Sequence, residues 1–166
     1  MHSKLTRWLR EGIVLLLIGV GISLAVDYMR KPALPQNFTS TPLQTLDGRT
    51  IDLAAMSHER PLLLYVWATW CGVCRYTTPS VAALADDGGN VITVALRSGD
   101  NAALEKWLAH KKMALPTIND ASGQLSRQWD VQVTPTLVVI SRGEVKSVTS
   151  GWTSGWGMRL RLWMAS

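Results

Sequence analysis

Two cysteines, Cys71 and Cys74, stand three positions apart and are the only thiols in a chain of 166 residues. With two residues between them, the pair can close and open a disulfide with little movement of the backbone. The chemistry this spacing suits is thiol–disulfide exchange, in which a thiolate attacks a disulfide and a second thiol resolves the product. A stapled secreted domain would need more cysteines at wider spacing, and so short a loop contributes little chain-entropy stabilisation. Structural zinc takes four ligands, and His2, His58 and His110 have no ligand-like spacing to the pair. A copper carrier using the two thiolates is the alternative from another class, but Met56 is the nearest methionine in sequence. The redox reading implies no metal and no cofactor beyond a redox-active Cys71–Cys74 disulfide.

Thiolate chemistry needs a positioning frame, and the flanking residues supply one. Leu62–Trp67 (LLLYVW) is a continuous apolar run, the mark of a strand buried on both faces. A helix is expected from Gly72 to Ala85, kinked at Pro79. Cys71 then sits at the helix N-terminus, where free N–H groups and the helix dipole stabilise a thiolate. Arg75 is a further cation on that helix, of a kind more often solvated than tuning a thiolate.

The remaining pattern extends this frame. Thr41–Thr45 and Thr50–Leu53 flank Asp47-Gly48, a hairpin signal. Val91–Leu96 reads as a second buried strand and Asn101–Lys111 as a helix with Leu104, Trp107 and Leu108 on one face. A short helix is expected over Gln124–Trp129. Thr136–Ser141 reads as a third strand, turned by Arg142-Gly143 into an antiparallel partner, Glu144–Thr149. Ser154–Ala165 reads as an amphipathic helix whose stripe Trp156, Leu160, Trp163 packs on the core. The order predicts an α/β fold, a central mixed β-sheet with helices on both faces.

Gly12–Val26 is a charge-free apolar run of fifteen residues with Lys4, Arg7 and Arg10 before it. Trp8 and Tyr28 are twenty residues apart, about 30 Å along a helix. Those flanks favour an uncleaved anchor over a signal peptide. The expected organisation is a short cytoplasmic segment over 1–11, a transmembrane helix over 12–28, a linker over 29–37 containing KPALPQ, and a domain over 38–166. Seventeen Lys and Arg residues give a formal net charge of +5, but they are scattered rather than clustered, so no nucleic-acid partner is expected.

Trp67-Ala-Thr-Trp-Cys-Gly-Val-Cys resembles the active-site signature of the thioredoxin superfamily. Pro79 matches the family's helix proline, and Thr134-Pro135 its cis-proline. The resemblance implies a thioredoxin-like fold, here with an N-terminal hairpin and a single N-terminal transmembrane helix. It implies Cys71 and Cys74 as catalytic residues, with Trp70, Gly72, Val73, Thr134 and Pro135 binding substrate; Trp67 is expected in the core. The N-terminal hairpin and the stretch from Asn101 to Trp129 are similar to a membrane-anchored bacterial branch. That branch includes TlpA-type proteins, cytochrome c maturation thioredoxins and copper-sensitivity suppressors, the last most similar in the Cys-Gly-Val-Cys site. It implies the inner membrane, crossed once with the domain facing the periplasm. The implied partners are a membrane thiol–disulfide electron-transfer protein and periplasmic protein disulfides or dithiols, in a context of copper tolerance.

Two positions depart from the superfamily. Six residues before Cys71, where cytoplasmic thioredoxins carry a buried aspartate, stands Tyr65. A phenol of pKa about 10 is a poor proton acceptor at neutral pH, so water, or Asp120 brought near by folding, is expected to take that part. The intervening pair Gly72-Val73 has neither the histidine of strong oxidants nor the proline of typical reductants, and the direction of exchange stays open.

Overall fold

The computed structural model describes residues 2–29, 34–35 and 37–166. Of the expected KPALPQ spacer only Leu34 and Pro35 fall within them. The chain divides into two units, Met1–Lys31 and Pro32–Ser166.

The first unit is one helix, α1 (His2–Met29), with an Arg7–Glu11 ion pair of 3.1 Å one turn apart. Its apolar side chains from Ile13 to Ile22 are exposed. Among the described residues no helix is long and apolar enough to cross a membrane, which corrects the expectation of a single-pass inner-membrane protein facing the periplasm. The physical reason lies in length: the charge-free run rises about 22 Å in a helix, against roughly 30 Å of hydrocarbon.

The second unit begins with a small antiparallel ladder, β1 (Leu43–Gln44) and β2 (Thr50–Ile51), joined through Gly48 at φ 80°. A single turn, α2 (Leu53–Met56), follows, with the Asp52 carboxylate accepting the Ala55 N–H at 2.9 Å. The main sheet is built from β3 (Leu62–Trp67), β4 (Val91–Leu96), β5 (Thr117–Asp120), β6 (Thr136–Ser141) and β7 (Glu144–Ser150). In space they run β5-β4-β3-β6-β7, with β3, β4 and β5 parallel and β6 and β7 antiparallel to their neighbours. All six residues of β3 are buried, as befits the central strand.

The expected strands β3, β4, β6 and β7 stand where the apolar runs place them. Arg142 (φ 54°) and Gly143 (φ 77°) form the two-residue turn between β6 and β7, both in the left-handed region that such a tight hairpin requires. The edge strand β5 was not expected, because Thr-Ile-Asn-Asp is short and half polar. Helices α3 (Cys74–Asp86), α4 (Asn101–His110), α5 (Gln124–Gln128) and α6 (Gly155–Met164) complete the unit.

One packing expectation is overturned. In α6, Met158 is buried and Leu162 packs beside it, whereas Trp156 is 85% exposed and Trp163 73%. Residues four apart share a helix face, and the face that α6 turns to the core is the one bearing Met158 and Leu162. An Arg159–Asp87 ion pair fastens α6 to the end of α3.

Candidate active site

β3 ends at Trp67, and Ala68–Val73 turns the chain into α3. The helix starts at Cys74 rather than at Gly72. Cys71 lies in the turn that feeds it, and the Cys74 N–H donates to Cys71 Sγ at 3.1 Å. Cys71 and Cys74 form a disulfide with their Cα atoms 5.2 Å apart. Burial separates the two sulfurs: Cys71 is 8% exposed, Cys74 only 1%. Cys71 is the more exposed of the two, and its sulfur accepts the first N–H of α3, a position that stabilises negative charge.

The loop before β6 completes the surround. The Thr134–Pro135 peptide bond is cis, and Cys71 Sγ lies 3.6 Å from the Thr134 carbonyl oxygen. Pro135 is buried with its carbonyl accepting the Gly151 N–H at 2.8 Å, while Thr134 is half-buried. Trp70, Gly72 and Val73 are all exposed, Trp70 to 62%. All seven residues expected at the site therefore gather around one disulfide or on the turn that carries it. Trp67, by contrast, is wholly buried, near-parallel to Tyr65 with centroids 6.5 Å apart and 5.0 Å from the Trp107 ring.

Tyr65 is also wholly buried, and its hydroxyl lies 2.8 Å from Thr78 Oγ1. Thr78 in turn donates to the Cys74 carbonyl at 2.7 Å. Since that bond uses the one threonine proton, Tyr65 is the donor of the first. Burial pushes the Tyr65 phenol above its ordinary value. It holds its proton and anchors the first turn of α3. Asp120 takes no part at the sulfurs: its carboxylate accepts the Leu125 and Ser126 N–H groups at 3.1 and 2.8 Å, fixing the start of α5.

Several contributors carry no signature of their own in the sequence. The Trp70 indole donates to the Arg97 carbonyl at 3.0 Å, and the Thr69 N–H to Ser98 Oγ at 3.0 Å. Both acceptors belong to the loop after β4, and the only clue to it is the turn signal Ser98-Gly99-Asp100. Loops at the carboxyl ends of adjacent parallel strands converge, so this loop steadies the cysteine turn. Next to the disulfide lies a cavity of about 390 Å³. Both cysteines and Trp67, Arg75 and Thr78 line it together with Trp107, Lys111 and Met113. Among the described residues no group of three or more His, Cys, Asp or Glu is placed to hold a metal ion.

Residues 34–148 match the AhpC/TSA family. The chain belongs to that family. A thioredoxin-like protein of Haemophilus influenzae is 40% identical over 162 residues, covering 98% of this chain and 97% of that protein. The thiol:disulfide interchange protein DsbE of Pseudomonas fluorescens is 32% identical over 149 residues, or 84% of this chain and 83% of its own length. Among solved structures, a secreted Mycobacterium tuberculosis disulfide oxidoreductase homologous to E. coli DsbE has a TM-score of 0.64 at 20% identity. That match covers 78% of this chain and 99% of the other, and shows a shared fold. The AhpC/TSA chain described here is a thiol–disulfide oxidoreductase of the DsbE and thioredoxin type, with Cys71 and Cys74 as its pair.

Proposed function

We propose that this oxidoreductase exchanges disulfides with cysteine-containing proteins laid along the Thr134–Pro135 loop. The observation that carries the reading is the unequal setting of the two sulfurs: Cys71 beside the Thr134 carbonyl, Cys74 buried behind it. In the reduced chain the Cys71 thiolate attacks one sulfur of the partner's disulfide and the other sulfur leaves as a thiolate. Cys74, deprotonated, then attacks Cys71 Sγ, which frees the partner's second thiolate and closes Cys71–Cys74. Two electrons pass to the partner; the reverse sequence oxidises a partner dithiol. Trp70, Gly72 and Val73 supply the docking surface, and the half-buried Thr134 and buried Pro135 place backbone polar groups beside the reacting sulfur.

The test is Cys74→Ser, which leaves the attacking sulfur without its resolving partner. It should accumulate mixed disulfides that dithiothreitol releases; a variant that forms no adduct with any cysteine protein sinks the mechanism. Direction follows from the reduction potential. A value near about −270 mV makes the chain a reductant that needs a dithiol donor, and about −120 to −180 mV an oxidant or isomerase. Service in copper tolerance is the finer reading supported by the likeness of the Cys-Gly-Val-Cys site to copper-sensitivity suppressors. Growth of a deletion strain on copper salts tests it.

A further inference from the structure

The cavity beside the disulfide shares both cysteines with the Thr134–Pro135 approach but has neither Thr134 nor Pro135 in its wall. It is therefore a second way to the same sulfurs. Its volume, about 390 Å³, falls in the roughly 300–1,000 Å³ range of small-molecule sites. Its charged wall residues are Arg75 and Lys111, and no carboxylate lines it. Lys111 Nζ stands 5.9 Å from the centre of the Trp107 ring, within cation–π range, which steadies the ammonium at the rim. Trp107 and the wholly buried Trp67 give the wall aromatic surface. Cations without a carboxylate beside them, and Trp and Met walls around a disulfide, together describe a receptor for a small anion that can react with sulfur.

We propose that the cavity admits a low-molecular-weight carboxylate-bearing thiol, of the glutathione class, which reduces Cys71–Cys74 directly. The proposal rests on the oxidoreductase reading and adds a reductant that does not use the Thr134–Pro135 loop. In the first step the small thiolate attacks Cys71 Sγ; a sulfur–sulfur bond forms to the small molecule, and Cys74 leaves as a thiolate and takes a proton from water. In the second, another molecule of the same thiol attacks the small-molecule sulfur of that mixed disulfide. Its product is the small symmetrical disulfide, and Cys71 is left as a thiolate. Two thiols are oxidised and one protein disulfide is reduced. Lys111 and Arg75 draw the carboxylates in, an attraction that salt screens.

The test uses the oxidised full-length chain and compares its reduction by glutathione with that by uncharged dithiothreitol. The glutathione rate should saturate with concentration, and S-methylglutathione, which has the carboxylates but no thiol, should slow it. The glutathione-to-dithiothreitol rate ratio should fall about threefold in Lys111→Gln and about tenfold in Lys111→Glu, with the difference fading at high salt. Arg75→Gln, at the other exposed cation of the same wall, should lower the ratio in the same sense. A glutathione rate that stays linear, with an unchanged ratio in all three variants, overturns the cavity proposal alone. A chain inert to both reagents overturns the oxidoreductase reading itself.

Discussion

The two faces of β3 pack against the same kind of apolar surroundings and do different things. Leu62, Leu64 and Val66 point to one face, among Phe38, Leu53, Ile92, Val138 and Ile140. Leu63, Tyr65 and Trp67 point to the other, where the core cluster includes both cysteines. On the first face the packing is hydrophobic, and its aromatic pair, Phe38 and Trp129, meets edge to face at 4.8 Å. On the second, Tyr65 registers with Thr93, and Thr93 with Thr117, whose hydroxyls are 2.9 Å apart. Tyr65 also bonds Thr78 at the base of α3. Buried polar groups are tolerated when each is paired. By placing them on one side of one strand, the fold lets the first face act as filler while the second fixes the cysteine turn.

If that division holds, the largest effect comes from the chemical face. Cys71→Ser should reduce exchange with a model disulfide to the uncatalysed background while thermal unfolding stays cooperative. Residual turnover would mean that Cys74 can attack a partner unaided. Next is Leu64→Ala on the filler face, wholly buried in the native chain. It should cost about 2–5 kcal/mol of stability by lost transfer and a residual cavity, measured by denaturant unfolding. Its Cys71–Cys74 potential should match the parent's; a shift would show that the two faces are coupled through β3.

How far the sequence discloses this arrangement differs between its parts. The continuous run Leu62–Trp67 and the C-x-x-C after it point to a doubly buried strand delivering Cys71 to a helix, because a run of only six apolar residues is of strand rather than helix length. The resemblance carried by Pro79 and Thr134-Pro135 brought the distant loop to the sulfurs, which local pattern alone could not do. Contributions made through main-chain groups were not legible. The Arg97 carbonyl that holds Trp70 belongs to a residue whose side chain gives no hint of it. β5 was missed because an edge strand of four residues has too little alternation to register. Asp120 was misread since, in sequence, a carboxylate bound for a helix start looks the same as one bound for a sulfur. The N-terminal helix was legible as a helix, and its length in apolar residues was overvalued as a membrane span.

A smaller effect is expected from Tyr65→Phe, which removes one hydroxyl from the chemical face and leaves the ring. Loss of its hydrogen bond to Thr78 should cost about 0.5–1.5 kcal/mol. Because that bond anchors the turn bearing Cys74, the reduction potential should move as well, which a merely structural role would not require. The pH dependence has a fixed sign. Burial raises the phenol's pKa in the folded chain, so between the unfolded value of about 10 and the folded one the native state binds the extra proton. Tyr65 therefore contributes its full share of stability below about pH 10 and loses it as pH rises through the folded pKa. In urea unfolding from pH 8 to 11, Tyr65→Phe should show a shallower alkaline loss than the parent. An equally steep loss would place the alkaline sensitivity on other groups.

The smallest effect tests where the packed surface stops. Trp156, Leu160 and Trp163 form a stripe at helical spacing that reads as core, yet α6 turns Met158 and Leu162 inward and leaves the stripe in solvent. Trp156→Gln removes a large apolar side chain, a change that costs several kcal/mol at a packed site. At an exposed position the change in stability should stay within about 0.5 kcal/mol. Met158 is the contrast, two residues away on the same helix and 1% exposed. Denaturant midpoints for Trp156→Gln indistinguishable from the parent's would confirm that Trp156 takes no part in holding α6. A loss above about 2 kcal/mol would instead mean that Trp156 is packed in solution, and that the face of α6 turned to the core around the cysteines is wider than Met158 and Leu162.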